Sequence, residues 1–179
     1  MRQAAKKLET EGELYAAAVK LLARRGHSVY EMRQALERRA AEKELVPGVL
    51  ASLRERGYLD DARYARQFAR SRAQSRRQGR FRIARDLRAR GVPDRHLEAA
   101  LDEVFAETDE GALLRRRIER KLRALSCKGA LDERRLASLY ASLLRAGFSA
   151  DAIRRELRAH SKATTFPEPE AFESTDGQG

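Results

Sequence analysis

The 179-residue chain carries 38 Lys and Arg against 27 Asp and Glu, a formal charge of +11, with 36% of its residues charged and only four prolines. A single cysteine, Cys127, excludes an intramolecular disulfide framework and argues against a thiolate metal site. No apolar run approaches the roughly 18 residues needed to cross a bilayer, and Met1-Arg2-Gln3-Ala4-Ala5-Lys6-Lys7 lacks the apolar stretch of a signal peptide, so the expected address is cytoplasmic.

Ala, Leu, Glu and Arg dominate, residues that lose little freedom in a helix, and apolar positions recur at spacings of three and four. The expected fold is all-α, with about nine helices forming tandem three-helix repeats in an elongated, curved array. After an N-terminal extension over 1–11, a first unit (12–57) holds helices over about 12–25 (Leu14, Ala18, Leu21, Leu22), 28–42 (Val29, Met32, Leu36) and 46–56 (Val46, Val49, Leu50, Leu53). A second unit (58–107) turns Ala65, Phe68 and Ala69, then Ile83 and Leu87, then Leu97, Leu101, Val104 and Phe105 inward. A third unit (108–160) does so with Leu114, Ile118, Leu122 and Leu125, then Leu136, Leu139, Tyr140 and Leu143, then Ile153 and Leu157. Residues 161–179 lack periodicity, carry a formal charge near −3 and are expected to form a flexible acidic tail.

A turn recurs between these helices: Leu four residues before Gly, then an aromatic, His or Val. It occurs at Leu22 to Gly26-His27-Ser28, Leu53 to Gly57-Tyr58, Leu87 to Gly91-Val92-Pro93 and Leu143 to Gly147-Phe148-Ser149. Gly supplies the left-handed conformation that ends a helix, and Ser28, Asp60 and Ser149 supply acceptors for the next helix's free N–H groups. Ser28 with Glu31 fits a capping box. The Gly spacings of 31, 34 and 56 residues are too irregular for fixed-period repeats, yet Leu87/Leu143, Gly91/Gly147, Leu97/Ile153 and Leu101/Leu157 align the second and third units without gaps.

Charge is unevenly distributed. Residues 62–91 contain eleven Arg and one acid, Asp86, whereas 92–112 contain seven acids and one Arg. Arg63, Arg66 and Arg70 share a face of the fourth helix, with Arg72, Arg76 and Arg77 near its end. Arg80, Arg82, Arg85 and Arg88 follow on the fifth helix, and together these arginines form a candidate cationic strip for a polyanionic partner. Arg115, Arg116, Arg117, Arg120, Lys121 and Arg123 form a secondary basic patch. The bland alternative is a solvated face neutralised by acids elsewhere; net charge alone also fits an Arg-rich coding bias. Phe81, flanked by Arg80 and Arg82, is expected to pack against the preceding helix rather than stack on a base.

Catalysis has little to work with. His27, His96 and His160 are far apart, and neither a phosphate loop, a metal-spaced His/Cys cluster nor a nucleophile motif is present, so neither enzyme activity nor a cofactor is expected. The adjacent acids Asp60 and Asp61 read as helix-start caps rather than a metal or acid–base pair.

Gly57-Tyr58-Leu59-Asp60-Asp61-Ala62-Arg63-Tyr64-Ala65, continued by Arg72, Gly79, Ile83, Asp86-Leu87 and Arg90-Gly91-Val92, resembles the signature of the RecX family. Leu21-Leu22-Ala23-Arg24-Arg25-Gly26-His27-Ser28 upstream and Arg145-Ala146-Gly147-Phe148-Ser149 downstream extend the resemblance to about 14–160. It implies a non-enzymatic regulator that binds the RecA recombinase and its nucleoprotein filament, with largely sequence-independent DNA contact, negatively modulating recombinase, ATPase and coprotease activities in DNA repair and the SOS response. Gly57, Tyr58, Asp60, Asp61 and Gly91 of the motif read as structural: helix stops, a core anchor and caps. The simplest assembly is a monomer. A different class of reading, a helix-turn-helix-like module acting on DNA without RecA, fits the same Gly turns.

Overall fold

The computed structural model describes residues 7–126 and 133–160. Cys127 and the expected acidic tail over 161–179 lie outside the described residues. Nine α-helices follow one another among the described residues: α1 Glu11–Leu22, α2 Val29–Glu37, α3 Val46–Glu55, α4 Asp61–Arg76, α5 Arg80–Arg88, α6 Asp94–Glu107, α7 Glu110–Ser126, α8 Glu133–Arg145 and α9 Ala150–His160. Helix α2 stops before the expected 42, and a short 3-10 turn, Lys43–Leu45, leads into α3, which has Pro47 in its first turn.

Local chemistry sets the helix starts. Thr10 and Ser28 each close a full capping box, with Glu13 and Glu31 respectively. Asp60 accepts from Arg63 N–H at 3.0 Å and Ser149 from Ala152 N–H at 3.2 Å. Gly57, Gly91 and Gly147 all have positive φ. At each of them the N–H of the following residue returns to the Leu carbonyl: Tyr58 to Leu53, Val92 to Leu87 and Phe148 to Leu143. Gly26 departs from the expected pattern and lacks positive φ, because the chain closes earlier, with Arg24 and Arg25 N–H both reaching Leu21 O.

Tyr58, expected as a core anchor, is 52% exposed, and Leu59 enters the core instead. Both residues' N–H groups return to Leu53 O, so the turn ends one residue later than the expected anchor. Leu8, expected in an extension outside the first unit, pairs with it through Leu8 N–H to Arg39 O and Ala41 N–H to Leu8 O, both 2.8 Å.

Helices α1, α2 and α3 pack on one another around Leu14, Met32, Leu36, Val49, Leu50 and Leu53. Helices α4 to α6 form a second group and α7 to α9 a third. Ala65, Ala69 and Ala73 are buried where α4 crosses α6, and small side chains there allow close approach. The aligned pairs Leu87/Leu143, Leu97/Ile153 and Leu101/Leu157 are all buried, so these two groups share one plan. They also share one continuous apolar cluster, while the first group keeps its own.

The groups are joined by a repeated device. Asp61, the first residue of α4, accepts the N–H of Val29, the first residue of α2, at 2.9 Å. Glu110, the first residue of α7, accepts the N–H of Arg80, the first residue of α5, at 2.9 Å. In each acidic pair the first member caps its own helix, Asp60 to Arg63 N–H and Asp109 to Ala112 N–H, and the second reaches back to the preceding group. The expected cap at Asp61 thus serves another helix.

Candidate partner-binding surface

The alternation of charge along the chain becomes side-by-side pairing in space, because α6, which carries the acids, packs against both α4 and α5. Arg66 meets Glu103 at 3.8 Å, and Arg70 meets Glu103 at 3.6 Å and Glu107 at 3.4 Å. Arg80 contacts Glu98 and Asp102, the latter at 2.7 Å, and the Asp102 hydrogen bond is the main cause that raises the Arg80 pKa. Arg88 contacts Asp94 at 2.8 Å and Glu98 at 3.2 Å, and Arg82 contacts Asp86 at 3.0 Å. Arg63 donates to the Gly57 carbonyl.

The remaining strip residues differ. Arg72 lies over the Phe68 ring, 4.8 Å from its centroid. The Arg76, Arg77 and Arg85 side chains have no carboxylate partner among the described residues. Arg77 adopts φ 48°, ending α4 in a left-handed conformation that Gly or Asn takes at lower cost. In the secondary patch Arg115 pairs with Asp109 and Glu156. Arg117 turns inward and donates to Arg76 O at 3.0 Å and Arg77 O at 3.1 Å, closing the end of α4, and burial lowers its pKa. Arg116, Arg120 and Lys121 have no carboxylate partner among the described residues; Arg123 is exposed on the same helix.

Most of the paired groups are one-third to two-thirds exposed, and exposed pairs contribute only about 0.2–1 kcal/mol each. The acids of α6 therefore offset the repulsion without locking the guanidinium groups away from an external anion. Phe81, expected to pack inward, is 64% exposed. Its N–H is held by Gly147 O at 3.1 Å, which fixes the backbone and leaves the ring outside.

The motif residues converge on the junction between the first two groups. Ser28 is fully buried and donates its hydroxyl to Arg90 O at 2.6 Å. Glu31 accepts from Arg90 at 2.6 Å, from Arg25 at 3.1 Å and from the Tyr64 hydroxyl at 3.1 Å. Burial pushes the Glu31 carboxyl up, but the Arg25 and Ser28 hydrogen bonds and the charges of Arg25 and Arg90 together hold it below the usual carboxylate range. Burial pushes the Tyr64 hydroxyl up to about 12, with Glu31 adding to the effect. Gly91 abuts Tyr30 so closely that a Cβ would collide with its ring. The sequence does not mark Arg25, Glu31, Tyr64 and Arg90 as one group; the signals it holds are their separate places in the family-like motifs and the Glu31 contribution to the Ser28 capping box.

Among the described residues no group of three His, Cys, Asp or Glu is placed to hold a metal, and no helix is long and apolar enough to cross a membrane.

Residues 60–101 match the family model described as RecX, second three-helix domain. The chain is 43% identical over 139 residues to the regulatory protein RecX of Halorhodospira halophila, covering 77% of this chain and 82% of that one. It is 34% identical over 166 residues to the regulatory protein RecX of Thermobifida fusca, covering 88% of each. The crystal structure of RecX from Lactobacillus salivarius superposes with a TM-score of 0.70 over 83% of this chain and 95% of that one, at 19% identity, which shows the shared fold. With this identity spread across all three helical groups and the same fold in a solved relative, the chain belongs to the RecX family of regulatory proteins.

Proposed function

We propose that this chain binds RecA and RecA–DNA filaments and negatively modulates recombinase, ATPase and coprotease activities in DNA repair and the SOS response. The observation that carries the reading is a set of cations without carboxylate partners among the described residues: Arg76, Arg77 and Arg85 at the end of α4 and on α5, and Arg116, Arg120 and Lys121 on α7. Around them the ion-paired Arg66, Arg70, Arg80, Arg82 and Arg88, with Arg63 on the Gly57 carbonyl and Arg72 on the Phe68 ring, exchange weak surface contacts for phosphate or protein carboxylate at low cost. Arg77 supports the same reading, since a left-handed Arg is kept where Gly is the cheaper residue.

A filament offers acidic protein surface and phosphate side by side, and tandem helical groups present cations over a length that one three-helix group lacks. The protein acts as a monomer in the cytoplasm, without a catalytic step or cofactor. Charge reversal at Arg70, Arg77 and Arg85 tests the surface: binding to filaments of RecA on single-stranded DNA should weaken and its salt dependence flatten. Unchanged affinity and salt slope would reduce the Arg face to solvated surface.

A further inference from the structure

The junction between the first two helical groups forms an open groove of about 730 Å³. The part beside α4 is lined by Arg25, Arg72, Arg76 and Arg90, with the Ser71 and Ser75 hydroxyls, and no carboxylate lines it. We propose that this groove is a phosphodiester site, taking one stretch of nucleic-acid backbone across the junction; the proposal rests on the reading above only in that DNA is part of the target.

Three features carry it. First, Arg72 and Arg90 both lie over the Phe68 ring, at 4.8 and 5.0 Å from its centroid. Stacking uses the flat face of a guanidinium and leaves its N–H edge for in-plane hydrogen bonds to an oxyanion. Second, the charge is unbalanced. Four guanidinium groups meet one acid, Glu31, which is already shared between Arg25 and Arg90. Burial first, and then the neighbouring Arg76 and Arg90 charges, lower the Arg72 pKa. Third, hydrogen-bonding capacity is left over. The Ser71 and Ser75 hydroxyls follow one another at four positions on the groove side of α4.

Phosphodiester suits this set better than a protein carboxylate. One guanidinium satisfies one carboxylate, whereas a backbone brings successive anions spaced along a narrow chain, matching guanidinium groups contributed by α4 and by the turns after α1 and α5. Phe68 already carries two Arg side chains, so the groove offers charge rather than a ring for a base, and contact should be independent of sequence.

The test is fluorescence anisotropy of a labelled single-stranded oligothymidylate and a labelled duplex, titrated with the full chain over a range of NaCl, without recombinase. The double variant Arg72→Gln/Arg76→Gln should bind the oligothymidylate at least ~10-fold more weakly, and its log–log salt slope should fall by roughly 1.4, two charges at about 0.7 each. Ser75→Glu, which adds a carboxylate on an exposed face without touching the core, should weaken it similarly. The charge-matched control Lys20→Gln/Arg33→Gln, exposed on α1 and α2, should change it less than ~3-fold.

A folded double variant with unchanged affinity and slope would overturn the proposal, as would no binding by the wild-type chain at low salt. Displacement of the oligothymidylate by poly-L-glutamate as readily as by unlabelled oligothymidylate would overturn it in favour of an acidic protein ligand. Stronger binding to the duplex with the same sensitivity to the variants would keep the phosphodiester chemistry and identify a double-stranded source. Because recombinase is absent throughout, loss of the groove and loss of the RecA reading are separate results.

Discussion

The Asp61 carboxylate accepts the Val29 N–H at 2.9 Å, so the first residue of one helical group caps the middle helix of the group before it. Glu110 and Arg80 repeat the bond at the next junction. Asp61→Ala should cost about 1 kcal/mol in chemical denaturation, the usual value of a lost cap. Amide exchange should speed up at Val29 more than at Arg63, whose own cap, Asp60, is untouched. Equal acceleration at both amides would contradict the assignment.

The Glu31 cluster makes the first junction acid-sensitive. A carboxyl held below its unfolded pKa contributes stability that is fully present above the unfolded value and lost as pH falls through the folded one. His27 has the same sign: burial is the largest cause lowering its pKa, so protonation below its ordinary range also disfavours the folded state. Stability should therefore fall first as His27 protonates and again through the carboxylate range. Glu31→Gln should cost about 2 kcal/mol near neutrality by leaving Arg90 uncompensated, and should remove the second of these steps in a urea-denaturation series against pH.

The three left-handed glycines should respond differently to alanine. At Gly57 a Cβ meets open space, so only the left-handed penalty of about 1 kcal/mol applies. At Gly91 a Cβ strikes Tyr30, and at Gly147 it strikes the backbone of Arg82. The nearest atom at Gly91 is the Tyr30 Cβ, which no side-chain rotation moves, so Gly91→Ala and Gly147→Ala should each cost about 3 kcal/mol or more in thermal melts, and Gly57→Ala clearly less.

Arg77→Gly separates stability from binding. Relieving the left-handed Arg should raise stability by up to about 1 kcal/mol, while filament binding weakens because a cation is lost. A variant that became less stable would show that the Arg77 side chain supports the fold.

The helices were readable from their sequence because their starts and stops are local. Ser28, Asp60 and Ser149 cap as their positions predict, and the Leu–Gly spacing locates three of the four left-handed turns. What was not readable depends on contacts between distant segments. The use of Asp61 as a cap for α2 needs 32 residues of intervening chain to fold back, and Arg117 reaches carbonyls 40 and 41 residues away. Composition marks the Arg-rich stretch, but its pairing with Glu98, Asp102, Glu103 and Glu107 follows from the packing of α6, which periodicity predicts only as an inward face. Arg25, Glu31 and Arg90 come together from three separate segments, so no local pattern marks their groove.

The most direct test of regulation is the rate of ATP hydrolysis by RecA on single-stranded DNA as the purified chain is added. The account predicts a progressive fall as the chain approaches one per RecA protomer, with the Arg70, Arg77 and Arg85 charge-reversal variant requiring several-fold more protein for the same fall. An unchanged rate at near-stoichiometric wild-type protein would contradict it.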